Sequence, residues 1–211
     1  MQQANMNAPH ALQQSSAEIK ARKGKHMIFG YFSRNRKNRE IVRSIYGQLT
    51  GAARKPSYYM HMNVPDTVMG RYEMISIMMI LFLRRTGQAS STVQELAQDV
   101  VDSFFAEIDH SIRELGVGDN SVPKRMKKLA RMFYGRAEAY RAALDAGDAA
   151  ALAEALKRNI HPGLAGDAAA EPGVDMSALA EAVLRLDEEF SGCEEAGILS
   201  GDILQRPAES V

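Results

Sequence analysis

Apolar residues recur along this chain at spacings of three and four, the period of a helix with one buried face. Ile41, Ile45, Leu49 and Ala52 predict a first helix over 36–54. Pro56 ends it, because the residue before a proline disfavours the helical region. Tyr58-Tyr59-Met60 then crosses to the next element. Asp66 or Thr67 can accept hydrogen bonds from the free amides of a second helix, predicted over 67–85. The latter half of that helix is apolar nearly all round, so it belongs at the centre of a bundle. Val93, Leu96, Ala97, Val100, Val101, Phe104, Phe105, Ile108, Ile112 and Leu115 carry a third helix, with Gly116 in the place of a left-handed cap. Asp119 or Ser121 starts a fourth, with Pro123 in its first turn and Met126, Leu129, Phe133 and Tyr140 inward. A fifth follows Asp148 and stops at His161-Pro162-Gly163. Leu179, Val183, Leu186 and Phe190 mark a sixth, with a strongly acidic outer face. No segment carries a convincing strand pattern.

The expected fold is therefore all-α: a single bundle-like domain of about five to six helices over 36–161. Residues 1–35 are too polar and basic to bury enough apolar area, and are expected to be disordered. The patch Met27-Ile28-Phe29-Gly30-Tyr31-Phe32 is the exception there, able to dock on the domain or touch a membrane surface. Residues 162–174, rich in Pro, Gly and Ala, are expected to form a linker, followed by an acidic C-terminal helix and tail over 175–211.

The charge balance changes the picture only in its distribution. Lys plus Arg and Asp plus Glu are both 26, yet nine bases and the single acid Glu40 lie between Lys20 and Arg43. Ten acids and the single base Arg185 lie between Asp167 and Asp202. The front is basic and the back acidic. The lone Cys193 cannot form an internal disulfide, which makes a reducing cytoplasm the default compartment. Peripheral contact with the inner face of a plasma membrane, or a mitochondrial location, is the alternative. The most apolar run, Met74 to Leu83, has ten residues. A membrane span needs about 17 or more, so this run is expected to be buried core.

A search for chemistry finds almost none. The metalloprotease, P-loop and dinucleotide-binding motifs are all missing, and Gly116-Val117-Gly118 follows a helix rather than a strand. Cys193 has no neighbour in sequence that would activate it. Met60-His61-Met62 supplies too few convergent ligands for a metal or haem, so no metal or cofactor is expected. The twelve methionines are expected mainly in the core, with an exposed methionine-rich client groove as the alternative. Glu95, Asp99 and Asp102 share one face of the third helix, and Lys124, Lys127, Lys128 and Arg131 share one face of the fourth. Either the two faces neutralise each other in an antiparallel hairpin, or the basic one recognises phosphate or an acidic partner.

The turns and caps carry a resemblance. Val64-Pro65-Asp66-Thr67 with Gly70-Arg71-Tyr72, then Leu115-Gly116-Val117-Gly118-Asp119 leading to Val122-Pro123-Lys124 and Lys127, is similar to the ubiquinol–cytochrome c chaperone family. Tyr46-Gly47, Ala130 with Phe133-Tyr134-Gly135-Arg136, and Ala155-Leu156 with Arg158-Asn159 resemble it too. The motifs run from Ile41 to Ile160, and the flanks carry no such signal. The resemblance implies a non-enzymatic helical chaperone in assembly of the cytochrome bc1 complex. Mitochondrial relatives bind newly made cytochrome b near the ribosome exit, with a small helper subunit. The expected partners are thus cytochrome b or another bc1 subunit, with the ribosome and an anionic membrane surface as further candidates and no DNA.

The candidate client-binding surface combines the two turn motifs with the crossing: Tyr58, Tyr59, Asp66, Gly70, Arg71, Gly116, Gly118, Asp119, Pro123, Lys124 and Lys127. Two other functions compete with it. One is a ribosome- or RNA-binding adaptor acting through the basic front, where Phe29, Tyr31 and Phe32 interleave with the bases. The other is a helical enzyme whose site the sequence does not display.

Overall fold

The computed structural model describes residues 36–162 and 173–204. The expected disorder of residues 1–35, the patch at 27–32 and nearly all of the expected linker lie outside them. Eight helices make up the described residues, with no strand among them: α1 (Arg36–Ala53), α2 (Pro56–His61), α3 (Val68–Thr86), α4 (Ser91–Glu114), α5 (Val122–Ala146), α6 (Ala149–Ile160), α7 (Ser177–Ser191) and α8 (Glu195–Ser200).

Two of these are short helices that periodicity could not reveal. The crossing after Pro56 is the six-residue α2, with the proline at its first position, where a missing N–H and a preset φ do no harm. The acidic end carries the six-residue α8. The long helices start and stop where local chemistry dictates. Thr67 caps α3 by accepting from the Gly70 amide at 3.1 Å, so the cap is Thr67 rather than Asp66. Asp148 caps α6 by accepting from the Ala151 amide at 2.9 Å. Gly116 turns the chain after α4 at φ +75°, a conformation in which a β-carbon is strained.

Helix α3 lies at the centre, packed by α1, α4, α5 and α7. Met74, Ile77, Met78, Met79, Ile80, Leu81 and Phe82 are all buried, which fits its apolar circumference. The C-terminal helix is continuous with this core. Leu179, Val183, Leu186 and Phe190 of α7 are buried against α3 and α6. Arg84 of α3 holds it electrostatically, donating to Asp187 at 3.1 Å and to Asp145 of α5 at 2.9 Å.

Inside the bundle lies an ion pair on residues that periodicity does not assign to the inner face. Glu73 of α3 and Arg136 of α5 are both buried and joined through two guanidinium nitrogens. Burial lifts the Glu73 carboxyl above its ordinary range, and Arg136 pulls it back down. Beside it, the Tyr72 hydroxyl donates to the Leu129 carbonyl at 2.7 Å, and burial pushes its pKa up to about 12. Tyr72, Phe104, Phe105, Phe133 and Tyr134 continue as a chain of aromatic contacts with ring centroids 5.0 to 6.3 Å apart.

Candidate functional site

The crossing between α1 and α3 is built on Asn63. It adopts φ 57°, a left-handed conformation that asparagine tolerates better than most residues. Its amide donates to the Asp175 carbonyl at 2.8 Å. Its own carbonyl accepts from His161 Nε2 at 2.8 Å, a direction set by the carbonyl's having no proton to give. The ends of α6 and α7 therefore hold the crossing in place. The Val64 amide closes the loop onto the Tyr58 carbonyl at 3.2 Å.

Above this support lies a cavity of about 280 Å³ lined by Arg54, Pro56, Tyr59, Met60, Asp66 and Arg71. Tyr59 forms one wall, and its hydroxyl donates to the Ala53 carbonyl at 2.9 Å. Burial raises its pKa, with the Arg71 charge opposing. Arg71 donates to Asp66 at 2.8 Å, and that bond raises the arginine's pKa further. Both members of the pair are exposed. Their interaction is consequently weak in water.

The apolar element of this face is unusual for a surface. Met60 is 71% exposed, Val68 70% and Met69 45%. Val68 and Met69 occupy the first turn of α3, between Asp66 and Arg71 in sequence, and Met60 lines the cavity. Neither these three nor Arg54 is marked by the helical pattern, which identifies faces that turn inward. The usable signal is the placement of Val68-Met69 at a helix start, where no preceding turn covers them.

The candidates divide into three groups. Tyr59, Asp66 and Arg71 meet at the cavity. Tyr58 and Gly70 are buried and support this face from beneath. A β-carbon on Gly70 would come 1.9 Å from the Pro65 carbonyl oxygen, so the crossing closes only over a glycine. Gly116, Gly118, Asp119, Pro123, Lys124 and Lys127 are exposed at the α4–α5 turn, and none of them lines the cavity.

The cavity group and the hairpin-tip group nevertheless lie at one end of the bundle. The short connection from α3 to α4 makes those helices antiparallel, so the start of α3 and the end of α4 point the same way. Phe104 of α4 stacks on Tyr72 of α3. From that level α4 runs on to Glu114, about 15 Å, whereas α3 reaches back only about 6 Å to Val68. The hairpin tip overhangs the α3 face rather than merging with it.

The hairpin forms, but its two charged faces do not neutralise each other. Asp102 lies within electrostatic range of Tyr134, so the acidic half of α4 runs beside the later part of α5. Asp99 accepts instead from Asn38 at 2.8 Å and Asp102 from Gln98 at 2.9 Å. Lys124, Lys127, Lys128 and Arg131 lie nearer the tip, out of register with those acids.

Cys193 is half-buried. Its thiol donates to the Ile203 carbonyl at 2.7 Å, and burial pushes its pKa up, away from thiolate chemistry. Among the described residues no group of His, Cys, Asp and Glu could hold a metal ion, and no helix is long and apolar enough to cross a membrane.

Residues 60–205 match the family described as ubiquinol-cytochrome C chaperone. The match runs past Ile160, where the turn motifs end, and takes in α7 and α8. Those helices carry apolar spacing but no distinctive turn, which is why the resemblance by motif stops short of them. A solved structure titled the crystal structure of the Cbp3 homolog from Brucella abortus is 41% identical, with a TM-score of 0.70. The alignment covers 95% of this chain and 98% of that one. No curated protein matches the chain.

Proposed function

We propose, given that the chain belongs to the ubiquinol–cytochrome c chaperone family, that it is a non-enzymatic assembly factor of the bc1 complex that holds a segment of cytochrome b on the α2–α3 face. The observation that carries this reading is the exposed apolar side chains, Met60 lining the Tyr59–Asp66–Arg71 cavity and Val68 and Met69 lying between Asp66 and Arg71 in the first turn of α3. An exposed apolar patch rimmed by polar groups is the signature of an interaction surface. Methionine suits a client that arrives unfolded, since its flexible thioether packs against many shapes. Asp66 and Arg71 can each turn to a polar group of the client, and Arg54 adds a cation at the rim.

The test is crosslinked capture from membrane and soluble fractions by tagged chain, compared with the double variant M60D/V68D. Both side chains are exposed, and an acid at the first position of α3 suits the helix dipole, so the variant folds. The native chain is expected to capture cytochrome b and the variant to lose it at an unchanged melting temperature. Capture of cytochrome b by the variant at native level would reject this face. Absence of every bc1 subunit from the native catch would reject the function.

A further inference from the structure

The main core ends before the tip of the α4–α5 hairpin. Ile112 and Val122 are buried there, but outside the central hydrophobic cluster. On the outer side of α5 stand Lys124, Lys127, Lys128 and Arg131, at spacings that place them on one helix face, with Arg125 at the flank. All five are exposed, and none of their side chains makes an ion pair or hydrogen bond among the described residues.

The acids of the hairpin are engaged elsewhere. Asp109 and Asp119 are both held by Arg113 at 2.6 Å. Glu114 lies 3.1 Å from His110, and Glu107 is within electrostatic range of Tyr46 on α1. The first turn of α5 contains no acid. Cations at a helix start oppose the helix dipole and weaken the helix. Five uncompensated bases in the first ten residues thus work against local stability. Their charge, added to the positive end of the helix, is a field looking for an external anion.

We propose that this face of α5 docks the chain on the anionic headgroup layer of a membrane. A row of bases on one straight helix face presents its charges in a plane, which matches a lipid surface. Leu115, 68% exposed at the same tip, adds apolar area that a headgroup layer can take up. RNA fits less well, because binding to single strands relies on aromatic platforms. The aromatic on this stretch, Tyr134, packs edge-on against Phe133 and sits in the field of Asp102, which repels phosphate. The site shares no residue with the α2–α3 face, so each stands or falls alone.

The full chain is tested by co-sedimentation with phosphatidylcholine vesicles, with and without about one-third phosphatidylglycerol, and with a structured RNA in parallel. Binding to the anionic vesicles only is expected, weakening as salt rises. The variant K124E/K127E/K128E/R131E is expected to bind them about tenfold or more weakly. It should keep or raise its melting temperature, since acids at a helix start favour the helix. The variant K124R/K127R/K128R is expected to bind as the native chain does, and M60D/V68D to retain vesicle binding. Equal vesicle binding by the native chain and the charge-reversed variant would overturn the proposal. So would equal binding to neutral and anionic vesicles, no vesicle binding at all, or a charge reversal that weakens RNA binding alone.

Discussion

Gly70 and the Pro65 carbonyl approach so closely that a methyl group on the glycine would stand 1.9 Å from the oxygen. The obstacle is backbone, held in turn by the Thr67 cap, so it has no flexible side chain to give way. Gly70→Ala is expected to destabilise the chain by about 1–3 kcal/mol, as other overpacked sites do. The displaced crossing would also weaken client capture. Urea unfolding reads the first effect and crosslinking the second. An unchanged midpoint would show that the loop adapts.

The buried pair of Glu73 and Arg136 predicts an asymmetric response. Arg136→Met leaves a carboxylate in the core without its partner and is expected to cost about 3–5 kcal/mol. Glu73→Gln in that background is expected to restore much of the loss, a coupling measurable in a double-mutant cycle. The single variant also gains a pH dependence. Burial already raises Glu73 above 4.5, and removing Arg136 takes away the opposing charge. The folded state then holds a proton that the unfolded chain has released, so stability falls as pH rises above 4.5 through the raised value. Thermal unfolding of Arg136→Met should therefore move upward, relative to the native chain, between pH 7 and pH 5.

Gln48 joins the two ends of the described chain. Its amide nitrogen donates to the Gly201 carbonyl at 2.6 Å, and its oxygen accepts from the amides of Ile203 and Leu204 at 3.1 Å each. Gln48→Ala strands the Ile203 and Leu204 amides, while the Gly201 carbonyl keeps the Ser44 hydroxyl at 2.8 Å, and is expected to cost about 1–3 kcal/mol. Hydrogen exchange should accelerate first at residues 201–204, ahead of α3. Uniform acceleration across the bundle would contradict a local clamp.

The exposed pair of Asp66 and Arg71 makes the opposite forecast. Solvent screens it, so Asp66→Ala should leave the melting temperature nearly unchanged while reducing cytochrome b capture. A drop in stability without loss of capture would make the pair structural.

The long helices are legible in the sequence because their partners are predictable in kind: any buried apolar face will do. Thr67 and Asp148 cap where short polar residues precede apolar runs, and α3 is central because its apolar residues leave no face for water. The short α2 and α8 are not legible, since six residues contain too little of a period. Glu73 and Arg136 escape for another reason. Neither belongs to an apolar stripe, and only the tertiary fold brings each to the other. The site is half legible. Asp66 and Arg71 stand out by their place at a turn and Tyr59 by its place in the crossing, whereas Met60, Val68 and Met69 are left uncovered, which the sequence signals only through the helix start at Val68.

The clamp at Gln48 has a consequence for the order in which the molecule comes into being. Helix α1 is among the first described elements to leave the ribosome, yet Ser44 and Gln48 meet their partner at Gly201 only across 157 and 153 positions of chain. Contacts between residues so far apart in sequence close a longer loop than those between neighbouring helices, and cost more chain entropy to form. The chain can thus pack α1 against α3 and α4 early in its synthesis, but closes the Gln48 clamp only after Gly201 has been made.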